Sequence, residues 1–182
     1  MKIINKVNFK ELPDVIFLDI DNTIYNYDIA HNAALKAVKE KAMKTFSINA
    51  KDFDEAYKES KKQIKLNLQN TASSHNRLLY MQRMLEIIGL KSQVLLSLDF
   101  EQTYWRNFLI NSKLFEGVLD VLENIRLLNI PIVAITDLTA QIQFRKIIYF
   151  GLDNYFDYVV TSEEAGIEKP NKSIFQLAVK KI

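Results

Sequence analysis

The sequence predicts an α/β fold in which a parallel sheet is interrupted by a long helical insertion. Three short apolar runs, at residues 15–18, 132–135 and 158–161, have the length and composition of strands. The first two show no alternation of apolar and polar residues, which is typical of strands buried on both faces of a parallel sheet. Helical patterns lie between the runs, so strand–helix–strand units are expected.

The helices expected beside the sheet have clear boundaries. Residues 116–129 place apolar side chains at helical spacing ahead of the second strand. Residues 139–150 follow that strand, and Gly151 is placed to cap the helix at its C-terminal end. Residues 172–181 form the last predicted helix. This order of elements favours a layered α/β architecture.

The middle of the chain differs from the two ends in its pattern of apolar residues. Residues 29–110 show no strand pattern and predict about four helices. The third of these is expected to start at Ser73 or Ser74, since serine is a favourable N-cap. We therefore predict a discontinuous α/β core at residues 1–28 and 111–182, with an inserted helical unit at 29–110.

Composition restricts the functional classes. Hydrophobic residues make up 48% and charged residues 25% of the 182 residues, as in ordinary soluble proteins. A net charge of +2 gives no argument for a nucleic acid or membrane partner. The absence of cysteine excludes disulfides, thiolate metal sites and cysteine nucleophiles. The polar start, Met1 to Lys6, does not have the apolar run of a secretory signal, so a cytoplasmic location is expected.

Two carboxylates directly follow the first predicted strand. Asp19 and Asp21 lie two positions apart, at the end of a strand where α/β proteins bind ligands. One carboxylate could attack a substrate while the other donates and accepts a proton, and a bound Mg²⁺ would relieve their repulsion. The alternative is a simple turn, because Asp, Asn and Thr often end strands through local hydrogen bonds.

Further polar residues follow the later strands. The hydroxyl of Thr136 could bind a phosphate oxygen while the next helix presents its positive end. A helix cap formed by Thr136 and Asp137 is the alternative. Lys169, followed by Pro170, could supply a positive charge to phosphate, and its alternative is a solvated surface lysine.

Together, these motifs resemble the haloacid dehalogenase (HAD) superfamily. The resemblance includes the Asp-x-Asp-x-Thr motif at residues 19–23, Thr136, the stretch at 115–118 and the long match at 161–175. It implies a Rossmann-like parallel core. The helical block at 29–110 resembles the C1 cap of phosphoglycolate phosphatases, sialic acid 9-phosphate phosphatases and house-cleaning nucleotidases.

The resemblance implies a role for each motif residue. Asp19 would be the nucleophile that forms an aspartyl-phosphate, and Asp21 the general acid and base. Asp19 through its carboxylate and Asp21 through its carbonyl would bind Mg²⁺. Thr136, Asp137 and Lys169 are the candidate phosphate-binding residues. The implied activity is hydrolysis of a small phosphorylated metabolite, either a sugar phosphate or a nucleotide. A phosphomutase and a non-catalytic binding protein are the alternatives.

Two departures from the family pattern affect these expectations. Asp137 occupies a position where the family usually has Asn, and a carboxylate there would repel phosphate unless it is protonated, paired or turned away. The fourth motif, Gly-Asp followed by another Asp, is expected after Lys181, whereas the sequence ends at Ile182. We therefore expect a core that is incomplete at its C-terminal end. A fragment is favoured over the alternatives, which are a chain completed by a partner (a homodimer or a second, completing chain) and a degenerate relative.

Several residues of the helical block are interpreted as structural. Arg77 is assigned to a solvated helix surface, with pairing to an acidic substrate group as its alternative. His75 is placed at the surface, and Lys61 and Lys62 on an exposed helix face. Trp105 is assigned to the core of the block.

Overall fold

A parallel three-stranded sheet lies at the centre of the protein, of which the computed structural model describes residues 12–182. The strands are β1 (Ile16–Leu18), β2 (Ile132–Thr136) and β3 (Tyr158–Thr161), in the order β1-β2-β3. Both pairings are parallel, and their carboxyl ends therefore meet at one edge of the sheet. The predicted α/β class with a parallel sheet is confirmed. The polar N-terminal residues lie outside the described part of the chain.

The burial of the strands differs from the prediction at one point. Every residue of β2 is buried, as predicted for a strand covered on both faces. In β1, by contrast, Ile16 and Leu18 are half-buried and Phe17 is 38% exposed. The prediction of full burial is therefore wrong for β1. The reason is its position, because β2 has a strand on each side whereas β1 pairs with β2 alone among residues 12–182.

Four helices form a block between β1 and β2. They are α1 (Tyr27–Phe46), α2 (Ala50–Asn67), α3 (Arg77–Ile87) and α4 (Val94–Ile110), with a 3-10 turn at Ala72–His75 before α3. Helix α1 packs against α4, and α3 packs against both α2 and α4. The helical character of this region agrees with the sequence pattern, while the proposed domain boundaries remain a prediction.

The start of α3 differs from the predicted one. Asn76 precedes the helix, and its side chain accepts hydrogen bonds from the N–H groups of Leu78 and Leu79 at 2.9 and 3.3 Å. Ser73 and Ser74, the predicted caps, lie in the 3-10 turn instead. Asparagine and serine are comparable N-caps, so the choice between them was decided by the path of the preceding turn.

The remaining helices cover the two faces of the sheet. They are α5 (Val118–Leu127), α6 (Ala140–Tyr149), α7 (Ser162–Ala165) and α8 (Lys172–Lys181). Ile132 and Ala134 of β2 belong to a large core that continues into the helical block, whereas Val133 and Ile135 pack with α8 on the other face. Within residues 12–182, no helix is long and apolar enough to cross a membrane.

Candidate active site

The side chains of Asp19 and Lys169 meet at the carboxyl edge of the sheet. Asp19 directly follows β1, and Lys169 lies in the loop between α7 and α8. The Lys169 Nζ donates to Asp19 Oδ1 at 2.6 Å and to the backbone oxygen of Ile135, in β2, at 3.0 Å. The Thr23 hydroxyl donates to the other Asp19 oxygen at 3.4 Å. The Asp19 side chain is 37% exposed, so a phosphate ester can reach it.

Thr136 and Asp137 lie beside this pair at the end of β2. Thr136 is wholly buried. The carboxylate of Asp137 accepts the backbone N–H of Lys169 at 3.0 Å, so it holds the loop that carries the lysine. Burial raises the pKa of Asp137, and the Lys169 N–H opposes that shift. Asp137 is thus paired, which is one of the conditions under which a carboxylate can be tolerated at this position.

The alternative assignment of Asp137 as a helix cap is wrong. Helix α6 begins three residues later, at Ala140. The Ala140 N–H donates instead to Glu163 Oε2 at 2.8 Å. A carboxylate from another part of the chain therefore satisfies the start of α6 and complements its positive end.

The carboxylate of Asp21 is surrounded by donors that the sequence analysis did not identify. Lys146 Nζ lies 2.7 Å from Asp21 Oδ1 and 2.9 Å from Oδ2. Gln143 Nε2 donates to Oδ2 at 3.2 Å, and the Tyr25 hydroxyl donates to Oδ1. Gln143 also donates to the backbone oxygen of Asp137 at 2.6 Å, which links the two acidic segments. The orientation of the Asp21 side chain is therefore defined by three residues.

Lys146 is wholly buried, which is unusual for a lysine. Its Nζ lies between 5.4 and 5.9 Å from the ring centres of Tyr25, Tyr27, Trp105 and Phe108. Aromatic faces attract a cation and partly replace its lost hydration. Burial lowers the pKa of Lys146, and the Asp21 carboxylate opposes that shift.

The sequence contained a pattern that could have identified Lys146 as a buried charge. It falls on the buried face of α6, four residues after Ile142 and next to Ile147. A lysine within an apolar stripe needs a charge partner, because an unpaired buried charge is costly. The identity of that partner could not be read from the helix itself.

The loop that carries Asp21 also has the properties of a turn. Asn22 adopts a left-handed conformation, with φ of 59°, which asparagine tolerates well. Its side-chain oxygen accepts the Tyr27 N–H at 2.9 Å. The turn and the acidic pair are therefore compatible, since Asn22 shapes the loop while Asp19 and Asp21 contact lysines.

Comparison with known proteins identifies the family. The model of the haloacid dehalogenase-like hydrolases matches residues 13–182. The chain belongs to this family. It is 32% identical over 168 residues to the ribulose-1,5-bisphosphate 5-phosphatase of Halopiger xanaduensis, a match that covers 92% of this chain and 70% of the relative. The chain is also 26% identical to the glyceraldehyde 3-phosphate phosphatase of Methanopyrus kandleri, over 92% of this chain and 69% of that one.

Solved structures of the family share the fold. The HAD hydrolase YfnB from Bacillus subtilis, whose crystal structure contains magnesium, aligns with a TM-score of 0.64 at 20% identity. The alignment covers 91% of this chain and 72% of YfnB. The predicted family and the Rossmann-like core are thus confirmed, and the chain is an enzyme of a hydrolase family whose curated relatives are phosphatases.

The acidic side chains of the site could hold Mg²⁺ only if water molecules supplied several of its ligands. Among residues 12–182, no group of three or more His, Cys, Asp and Glu side chains is arranged to hold a metal ion. Asp19 keeps one oxygen with only a long contact to Thr23, whereas both oxygens of Asp21 are occupied by donors. One carboxylate, backbone carbonyls, waters and substrate phosphate form the kind of oxygen shell that Mg²⁺ accepts.

A pocket of about 320 Å³ separates the acidic loops from the helical block. Its core side includes Asp21 and Asp137, and the helical side carries basic residues of α1, α2 and α3. Arg77, interpreted from sequence as solvated, is only 5% exposed, so that interpretation is wrong. Lys61 and His75 are half-buried rather than fully exposed. The interpretation of Trp105 as a core residue is confirmed by its 6% exposure.

Proposed function

We propose that the protein is a Mg²⁺-dependent phosphatase that hydrolyses a small sugar phosphate through an aspartyl-phosphate. The observation that carries the proposal is the contact between Asp19 and Lys169 at the carboxyl edge of the sheet, beside Thr136. A nucleophilic carboxylate and a cation at the same point provide what phosphoryl transfer needs, which is positioning and charge stabilisation.

Asp19 acts in the first step. A carboxylate oxygen of Asp19 attacks the phosphorus, and the bond between phosphorus and the ester oxygen breaks. Lys169 stabilises the negative charge on the phosphoryl oxygens, and its second hydrogen bond, to Ile135, keeps the ammonium at the edge of β2. Thr136, wholly buried at the end of the same strand, would have to turn its hydroxyl from the backbone oxygen of Asp137, 3.4 Å away, to contact the phosphoryl group.

Asp21 acts as the general acid of the first step and the general base of the second. In its protonated form Asp21 donates a proton to the departing ester oxygen, and the carboxylate so formed then removes a proton from the water that attacks the aspartyl-phosphate, which restores the protonated form. The contact with Lys146 in this structure corresponds to the carboxylate form. This second attack releases inorganic phosphate and restores Asp19. Lys146, Gln143 and Tyr25 act on this residue by fixing the direction of its carboxylate.

Magnesium would be held by the free oxygen of Asp19 and by the Asp21 carbonyl. When bound, it neutralises charge on the carboxylate and on the phosphate.

The class of substrate follows from the relatives and from the size of the pocket. The relatives are named for ribulose 1,5-bisphosphate and glyceraldehyde 3-phosphate, which are both small sugar phosphates. The pocket of about 320 Å³ adjoins the reaction centre through Asp21, without being lined by Asp19 or Lys169, and its size is at the lower end of the range for small-molecule sites, roughly 300–1,000 Å³. A sugar phosphate is therefore favoured over a nucleotide.

The proposal is tested by Mg²⁺-dependent hydrolysis of an aryl phosphate by the wild type and by Asp19→Asn. We expect stoichiometric release of inorganic phosphate that is abolished by the substitution and by chelation of the metal. Transfer of phosphate to a second hydroxyl, without net release, would identify a phosphomutase. Turnover that survives Asp19→Asn would exclude the proposed nucleophile.

A further inference from the structure

The helical side of the pocket carries a concentration of positive charge opposite Asp21 and Asp137. Lys61 and Lys65 of α2 line it together with Arg77 of α3. His31 and His75 lie at the same wall, and Asp28 is the carboxylate that the helical block contributes. The pocket thus has Asp21 and Asp137 at one side and a basic wall at the other.

Within the described residues, Lys61 and Lys65 have no carboxylate partner at ion-pair distance. Salt bridges within 4.0 Å in residues 12–182 include Lys39, Lys41, Lys51 and other lysines, but neither Lys61 nor Lys65. Burial lowers the pKa of Lys61, and the charges of Lys65 and Arg77 lower it further. Like charges therefore lie together with no carboxylate of residues 12–182 at ion-pair distance from either lysine, and this arrangement costs stability unless an anion binds.

The pKa of the neighbouring His75 reflects the same excess of positive charge. Burial lowers the pKa of His75 to about 4, with further contributions from Lys65, Arg77 and Lys61. The ring is therefore uncharged at neutral pH, although its Nε2 lies 3.1 Å from Glu168 Oε1. Glu168 is consequently not neutralised by a charged histidine, and it pairs with neither Lys61 nor Lys65.

Arg77 gives this wall a fixed charge. It donates to the backbone oxygen of His75 and to the Tyr27 hydroxyl. Its guanidinium lies 5.2–5.7 Å from the ring centres of Tyr80, Tyr104 and Trp105. These contacts hold the guanidinium in place, whereas the lysines have longer flexible stems with which to reach a ligand.

From this arrangement we propose that Lys61 and Lys65, supported by Arg77, form a subsite for a second anionic group of the substrate. The preferred substrate is then a short phosphate ester with another phosphate or a carboxylate at its far end. One end would meet Asp19 and Lys169, and the other the basic wall. This inference rests on the proposed phosphatase function but concerns a different part of the site.

The test compares ligands that differ only in the second anion. Ribulose 1,5-bisphosphate is paired with ribulose 5-phosphate, and 3-phosphoglycerate with glycerol 3-phosphate. We expect kcat/KM to favour the doubly anionic member at least tenfold, mainly through KM. The double variant Lys61→Gln/Lys65→Gln should lose most of this preference, while Lys62→Gln, at an exposed position of the same helix, should keep it.

Binding measurements separate this inference from the catalytic proposal. Calorimetric titration of the same ligands into Asp19→Asn reports the subsite without turnover. If only ribulose 1,5-bisphosphate binds more tightly than the other member of its pair, the second anion is a phosphate. If only 3-phosphoglycerate does, the second anion is a carboxylate. Tighter binding of both supports a general anion subsite. Equal affinity within each pair, or no effect of Lys61→Gln/Lys65→Gln, would overturn the inference even if the enzyme hydrolyses aryl phosphates.

Discussion

Lys146 contacts both carboxylate oxygens of Asp21, at 2.7 and 2.9 Å, from a wholly buried position 125 residues further along the chain. The pair connects α6 to the loop after β1, beneath the aromatic residues of the helical block. It therefore couples the stability of the core to the orientation of the proposed acid and base.

Replacement of Lys146 by methionine tests this coupling. The substitution keeps the apolar stem but leaves the Asp21 carboxylate without its charge partner. Removal of one member of a buried pair costs about 3–5 kcal/mol. We expect a loss of this size in urea unfolding, together with a lower kcat. Arg145→Met, at the exposed neighbouring position, should unfold like the wild type.

A double-mutant cycle attributes the effect to the pair. If Lys146 acts through Asp21, the loss in Lys146→Met/Asp21→Asn should be clearly smaller than the sum of the single losses. Additive losses would show that Lys146 is merely a packing residue.

Lys169→Met removes the proposed phosphate-binding charge. Loss of one transition-state donor typically lowers the rate by about 10²–10³-fold, and we expect a fall of this order in kcat with an aryl phosphate. Lys172→Met, at an exposed position of α8, serves as the control. A fall in kcat that is accompanied by an equal fall in the folded fraction at assay temperature would argue against a direct role.

Asp137→Asn tests why a carboxylate is tolerated beside the phosphate site. Asparagine retains an oxygen that can accept the Lys169 N–H. The pKa of Asp137 is raised by burial, so its charged form is less favourable in the folded than in the unfolded protein. The variant should therefore be as stable as the wild type or more stable at pH 7. This advantage should shrink as the pH falls through the raised pKa and the wild-type carboxyl becomes neutral.

Asp137→Ala provides the contrast in that experiment, because alanine cannot accept the hydrogen bond. We expect it to lose activity through displacement of Lys169. If the asparagine and alanine variants behave alike in thermal unfolding and kinetics, the contact between Asp137 and the Lys169 N–H contributes neither to stability nor to activity.

His31 should contribute to the pH dependence of stability. Its pKa is lowered from 6.5 to about 4, chiefly by burial and also by the charges of Arg77 and Lys61, while Asp28 opposes them. Between these two values the unfolded chain binds more protons than the folded one, so stability falls as the pH is lowered from 7 towards 4. Urea midpoints measured at pH 7, 6 and 5 should fall less steeply for His31→Gln than for the wild type.

A histidine added at the surface controls for this measurement. Asn32 is the exposed neighbour of His31, so Asn32→His introduces a ring whose pKa should differ little between the folded and unfolded states. Its urea midpoints should follow those of the wild type. Identical slopes for His31→Gln and the wild type would exclude His31 as a source of the pH dependence.

Local sequence was sufficient for the strands and for the positions of the motif residues. Apolar runs that end in Asp19 and Thr136 identify strands and their carboxyl ends, because burial and strand propensity act over a few neighbouring residues. Parallel strands then bring these ends to one edge, so the proximity of the two motifs follows from the fold class. The long helical block was equally visible from periodicity, although its third helix starts at a different cap.

Tertiary structure alone decided which charges meet. Lys61 and Arg77 have the appearance of ordinary helix residues in the sequence, and the helix pattern around Lys146 does not identify its charge partner. Their burial and their partners depend on how α2, α3 and α6 pack around the loop after β1, over separations that no local pattern encodes. Electrostatic energy depends on distance and on exclusion of water, and both quantities are defined only once the helices have packed.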